Sequence, residues 1–204
     1  MNRHPNRRQW TLAATAALAT IPLFGCQSQS DLPLEGMDLT GAEHGKDFPL
    51  FDPEGRQRSI QDFAGKVVVV FFGYVQCPDV CPTTLQELTE AKALLGPLGE
   101  RLHGVFITVD PERDTPEILK SYTHNFSPDF VGLTGTPEQV AQVARSFKVF
   151  YKKVPGSTPG TYTMDHSAGL YMYDPQGKLR VYHRYGQGAA ALAHDAKLLL
   201  EAVP

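Results

Sequence analysis

Residues 67–72, the VVVVFF of "KVVVVFFGY", constrain the fold more than any other stretch of the chain. Six consecutive β-branched or aromatic residues without alternation make a strand whose two faces must both be covered. Such a strand belongs at the centre of a sheet with helices above and below it. The downstream sequence agrees. "LHGVFITVD" reads as a second buried strand closing at Asp110, and "DFVGL" as a short third. Between the strands lie helical patterns. Leu85, Leu88, Ala91 and Leu95 recur at helical spacing until Gly96-Pro97 ends the segment. "DTPEILKSYTHNF" opens with Asp114 or Thr115 placed to cap and Pro116 suited to a first turn, and "TPEQVAQVARSF" repeats the device with Pro137.

Further along, "KVFYKKV" reads as extended and "GSTPGTYTMD" as a glycine- and proline-rich loop. "SAGLYMYD" and "KLRVYHRYG" flank Pro175-Gln176-Gly177 as a hairpin, and "AAALAHDAKLLLEAV" closes the chain as a helix. Ahead of the first buried strand, Asp52-Pro53-Glu54-Gly55 is turn chemistry between two short extended segments. The prediction is an α/β domain with a central mixed sheet flanked by helices and an N-terminal β-hairpin extension. A cysteine motif at the carboxyl end of the first central strand, opening a helix, makes the arrangement thioredoxin-like.

The N-terminus is separate. Residues 1–10 carry Arg3, Arg7 and Arg8 and no acid, and "TLAATAALATIPLFG" then leads to Cys26. The apolar run is too short for a comfortable membrane span and has the form of a secretory signal. Leu23-Phe24-Gly25-Cys26 resembles a bacterial lipobox, whose cysteine is acylated and becomes the first mature residue. The expected organisation is a lipoprotein signal over 1–26, a flexible tether over 27–45 and the folded domain over 46–204, in the bacterial cell envelope with a lipid anchor in the membrane. Nineteen Lys and Arg against 22 Asp and Glu give a net charge of −3, which excludes a basic field for nucleic acid.

Of three cysteines, lipidation of Cys26 would leave Cys77 and Cys81, four apart in "GYVQCPDVCPTTL". Four helical residues span about 6 Å, which permits a disulfide. A structural staple, a redox couple and a metal site are therefore all open. Pro78 and Pro82 start the helix within or just after the motif, where free amides should lower both thiol pKa values. Redox proteins of this fold usually carry C-x-x-C, and the extra residue here leaves room for an ion between the sulfurs. A third ligand would choose. His4 and His44 fall in the signal and tether, while His103, His124, His183 and His194 sit in elements where a capping or surface role is commoner. His166, in "YTMDHSAGLYMYD", follows a loop that passes beside the cysteines in such a fold. Two thiolates and one imidazole form a soft three-coordinate set that suits Cu(I), whereas Zn²⁺ normally takes a fourth ligand. Asp79 or Asp165 could supply one; more commonly Asp79 would stabilise the helix start and Asp165 would orient the His166 ring.

"FFGYVQCPDVCPTTL", "VDPERDTPEILKSY" and "DHSAGLYMYDPQGK", in that order, resemble the Sco/SenC copper proteins of cytochrome oxidase assembly. Val75-Gln76 departs from the family's usual residues before the first cysteine but touches no ligand. The resemblance implies a membrane-anchored domain in which Cys77, Cys81 and His166 bind copper, as Cu(I) and also as Cu(II). It implies delivery to the dinuclear copper centre in the copper-site subunit of cytochrome c oxidase, with other periplasmic copper chaperones or thiol reductants as further partners. It also implies the alternative of an enzyme, a thiol–disulfide oxidoreductase that uses Cys77 and Cys81 to reduce the cysteines of that centre. Asp110 and Arg113 would form an ion pair that shapes the VDPERDTP loop. Peroxide reduction is suggested by fold analogy alone, with no peroxidatic motif in view.

Overall fold

The computed structural model describes Met1 and residues 32–202. Ten strands are present among the described residues: β1 (Met37–Asp38), β2 (Leu50–Phe51), β3 (Gln57–Arg58), β4 (Val67–Gly73), β5 (Leu102–Thr108), β6 (Val131–Leu133), β7 (Tyr151–Pro155), β8 (Tyr162–His166), β9 (Leu170–Tyr173) and β10 (Leu179–His183). Four helices accompany them: α1 (Val80–Leu94), α2 (Pro116–His124), α3 (Pro137–Ser146) and α4 (Gly188–Ala202). Six strands form one sheet in the order β1-β10-β9-β4-β5-β6. The β4, β5 and β6 strands run parallel, while β9, β10 and β1 pair antiparallel, so the sheet is mixed.

The period-2 geometry of a strand sends alternate residues of the VVVVFF run to opposite faces. Val68, Val70 and Phe72 join a core with Phe147, Val140 of α3 and Tyr173. Val67, Val69 and Phe71 join a second core with Leu85 and Leu88 of α1 and Leu199 of α4. Each of the six is at most 3% exposed, which is why the run needs no polar residue. The predicted thioredoxin-like arrangement is thus present, with β2 and β3 as its N-terminal hairpin. Thr115 caps α2 by accepting the Ile118 N–H, and Thr136 with Gln139 forms a capping box on α3.

Two segments differ from expectation. The supposed loop of residues 156–165 is half strand: β8 pairs antiparallel with β7, placing His166 opposite Tyr151. Gly156 and Gly160 supply the turn, and the loop composition hid the pairing strand behind it.

The tether over 27–45 is the second. Residues 27–31 lie outside the described residues, as do the signal segment and Cys26. Residues 32–45 are docked. Leu32 and Leu34 pack on the second core. The Glu35 and Gly36 amides each donate to the Asp195 carboxylate at 2.9 Å, β1 extends the sheet, and Gly45 N–H donates to the Ser146 carbonyl at 2.7 Å. Asp195 is fully buried and also faces Nε2 of His183 at 3.0 Å. The folded unit therefore begins by residue 32, and the segment acts as a strap across β10 and α4. Among the described residues no helix is long and apolar enough to cross a membrane.

Candidate metal centre

The β4 strand ends at Gly73, and the chain turns once before α1, with Cys77 N–H donating to the Tyr74 carbonyl at 3.1 Å. Cys77 sits in that turn, half-buried, and Cys81 lies in the first turn of α1, fully buried. Both are free thiols. The β8 strand delivers His166 from the other side, with its Nε2 3.8 Å from Cys81 Sγ. One ligand atom from each of the three residues lies within 4.8 Å of the others. The three residues expected from the sequence are thus brought together, 85 positions apart in the case of Cys81 and His166.

The ring of His166 is oriented by its own neighbour. Nδ1 is 3.0 Å from the Ser167 carbonyl, which can only accept, so in the neutral ring Nδ1 carries the proton and Nε2 presents its lone pair to the sulfurs. Asp165, expected to orient the ring, is exposed and pairs across the ladder with Lys152 instead. Asp79 occupies the N-cap position of α1 but makes no side-chain cap bond; its carboxylate accepts from the Thr83 hydroxyl at 3.5 Å.

The two thiols are unequal. Cys77 is held well below the usual thiol range, at about 4. The largest cause is the hydrogen bond from the Cys81 thiol, which outweighs burial. The Asp79 and Cys81 backbone amides at the start of α1 add to it. Cys81 moves the other way: its bond to Cys77, its burial and the negative charge beside it all push the thiol up. The helix start therefore lowers one thiol and not both, because a single negative charge is all the buried pair readily holds.

Around this triad the expected ion pair of Arg113 with Asp110 is present, joined by contacts that were not visible as a pattern. Arg113 reaches three segments at once. Its guanidinium pairs with Asp110 in its own loop, donates to Gln76 Oε1 next to Cys77 and to the Tyr162 carbonyl in β8, both at 3.0 Å, and stacks 3.6 Å over the Tyr162 ring. Tyr162 donates its hydroxyl to Asp110 at 2.9 Å. Tyr74 meets the His166 ring edge-on at 6.0 Å. Asp114, a candidate cap for α2, instead points inward and accepts from Val75 N–H at 3.0 Å and the Thr108 hydroxyl at 2.6 Å, fixing the turn that carries Cys77.

Two sulfurs and one imidazole nitrogen with no carboxylate among them make a soft donor set. A soft ion of low coordination number would fit it. Zn²⁺ would lack a fourth protein ligand, since no Asp or Glu among the described residues joins the group.

Known proteins resemble this chain along most of its length. The SCO1/SenC family profile matches residues 37–201. A SCO2-like protein of Rickettsia felis is 42% identical over 135 residues, covering 66% of this chain and 66% of its own. The mitochondrial SCO2 homologue of Bos taurus is 38% identical over 157 residues, covering 74% of this chain and 58% of its own. The matched stretch thus spans less than two thirds of these relatives' length. The structure of Bradyrhizobium japonicum ScoI with copper bound superposes with a TM-score of 0.67 at 39% identity, over 75% of this chain and 97% of that one. The chain belongs to the SCO1/SenC family.

Proposed function

We propose that this chain is a copper metallochaperone: it carries one copper ion on Cys77, Cys81 and His166 and passes it to the dinuclear copper site of cytochrome c oxidase, from a lipid anchor at Cys26 in the cell envelope. The observation that carries this reading is the convergence of two thiols and a correctly oriented imidazole nitrogen within 4.8 Å. Burial suits a carrier as well. Cys81 is enclosed, while Cys77 and His166 are half-exposed, so an incoming ligand can replace them one at a time. The copper-bound ScoI structure, which this chain resembles at 39% identity, supports copper as the cargo; the oxidase as recipient follows from the resemblance of the cysteine and histidine motifs.

The test is an anaerobic Cu(I) titration of the reduced full chain against a competing chelator. One ion per chain is expected, with affinity weakened about tenfold or more in His166→Ala and abolished in Cys77→Ser. Unchanged affinity in Cys77→Ser would reject the reading. Because the thiols must lose their protons to bind, affinity should also fall as pH falls.

The inequality of the thiols favours a second activity on the same residues. A half-exposed Cys77 thiolate can attack a partner's disulfide, forming a mixed disulfide and releasing one partner thiolate. Cys81 then attacks the Cys77 sulfur, which releases the partner as a dithiol and leaves Cys77 and Cys81 bonded. This thiol–disulfide exchange needs no imidazole. Reduction of a model disulfide peptide should survive His166→Ala and disappear in both cysteine-to-serine variants.

A further inference from the structure

The β7–β8 ladder breaks off at the end that carries His166, and the break has a particular form. Residues that face each other at a hydrogen-bonded position of an antiparallel pair exchange two backbone bonds, one in each direction. Such positions recur at every second residue along the hairpin. Gly156 N–H donates to the Thr161 carbonyl at 2.9 Å beside the turn, and the register then sets Val154 opposite Thr163 and Lys152 opposite Asp165. The next position of this kind is Phe150 opposite Ser167. Half of the exchange is made there: Ser167 N–H donates to the Phe150 carbonyl at 2.9 Å. The other half is not. Phe150 N–H donates to the Ser167 hydroxyl at 3.0 Å, and the Ser167 carbonyl that would have taken it lies 3.0 Å from Nδ1 of His166.

The serine hydroxyl thus stands in for its own carbonyl. A hydroxyl oxygen accepts hydrogen bonds as a carbonyl does, so β7 keeps its hold on Ser167. The carbonyl is left to turn along β8 onto the ring of the residue before it, and that ring presents Nε2 at 3.8 Å from Cys81 Sγ. We propose that Ser167 is a positioning residue for the metal centre: its side chain satisfies the Phe150 amide so that its main chain can fix the His166 imidazole. Without the hydroxyl, the Phe150 amide takes the Ser167 carbonyl as a regular ladder would. That bond draws the carbonyl toward β7 and leaves the ring free to rotate. The role rests on the reading of Cys77, Cys81 and His166 as a metal site, and it names what holds the half-exposed ligand in place. Ser167 is not itself a ligand and acts through His166.

Cu(I) affinity of the reduced full chain, read by chelator competition, tests this in the wild type, Ser167→Ala, Ser167→Thr, His166→Ala and the double variant of Ser167→Ala with His166→Ala. Ser167 belongs to neither apolar core, so these substitutions leave the fold in place. Ser167→Ala should lose about tenfold in affinity, while Ser167→Thr, which keeps the hydroxyl, should stay within about threefold of wild type. In the His166→Ala background, Ser167→Ala should change affinity by less than about twofold, because the ring that it positions is gone. A part in stability alone would appear equally in both backgrounds. Affinity of Ser167→Ala within about twofold of wild type, an equal loss in the His166→Ala background, or a Ser167→Thr as weak as Ser167→Ala overturns the inference and leaves the metal site intact. A wild-type chain that takes up no Cu(I) overturns the site reading and this role with it.

Discussion

A methyl group at Gly73 would stand 2.4 Å from the Cys81 sulfur and 2.8 Å from the Phe106 ring, closer than real Cβ atoms approach. Both neighbours are enclosed, so neither can swing away. Gly73→Ala should therefore destabilise the fold by about 1–3 kcal/mol, as overpacking of a closed core does, and displace Cys81 enough to weaken Cu(I) binding. Urea unfolding and chelator competition read the two effects; an unshifted unfolding midpoint would contradict the packing argument. Residues of this kind mark the limit of what the sequence shows. Cys77 and Cys81 were legible because their spacing and the prolines define a chemistry, and His166 because of its setting between a loop and a strand. Gly73 was not, since its contribution is a volume left empty for a sulfur eight positions later. Asp114 was legible as a cap by its place before Pro116, yet it turns inward to hold the Val75 amide. Nothing local distinguishes those two uses of an aspartate.

At the scale of elements, the site is an agreement between three segments: the turn before α1, the loop of residues 109–115 and the β7–β8 hairpin. Arg113 is bonded to all three. Removing it in Arg113→Ala leaves the Asp110 carboxylate, 2% exposed, with the Tyr162 hydroxyl alone as a side-chain partner. The pair is partly open to solvent through Arg113, so a loss of about 2–3 kcal/mol is expected, below the range for fully buried pairs. Arg113→Lys should recover part of it, restoring the charge without the planar fork that reaches two carbonyl-type oxygens at once. The sharper prediction concerns coupling. If Arg113 serves to hold the hairpin against the cysteine turn, Arg113→Ala should weaken Cu(I) binding in the wild type and have little effect in His166→Ala, a non-additivity that a double-mutant cycle measures. Strictly additive losses would reduce Arg113 to a stability role. The strands of the main sheet other than β1 were readable because each buries its own apolar run. The hairpin was not, because β7 carries Lys152 and Lys153 outward and β8 follows a Gly-Pro turn. Its pairing depends on the loop it meets and not on its own burial.

The whole molecule is closed by the strap of residues 32–45, and its hold was illegible for the same physical reason on a larger scale. The segment is polar and without period, and its two critical bonds run from backbone amides to a carboxylate 160 and 159 positions away. Asp195 gathers those amides, His183 of β10 and His194 of α4 around one buried group. Burial alone would raise its pKa, but the bonds from His183, Glu35 N–H, His194 and Gly36 N–H outweigh that and hold it at about 2. A carboxylate lowered on folding adds stability that is fully present above its unfolded value, near 4, and is lost as pH falls through the folded value. The window is thus about pH 4 to 2, and a shift of this size is worth about 2 kcal/mol. His103, at the start of β5, governs a separate and higher window. Burial is the largest cause holding its imidazole down, at about 4, so acidification from about 6.5 toward 4 favours the unfolded chain, which takes up the proton more readily. Unfolding free energies measured in urea across pH 7 to 2 should then decline in two limbs. Asp195→Asn keeps the shape and one acceptor oxygen, so it should lower stability at neutral pH by about 2 kcal/mol, flatten the limb below pH 4 and leave the upper limb in place. Loss of the upper limb instead, or an acid limb as steep as in the wild type, would show that the strap is fastened elsewhere.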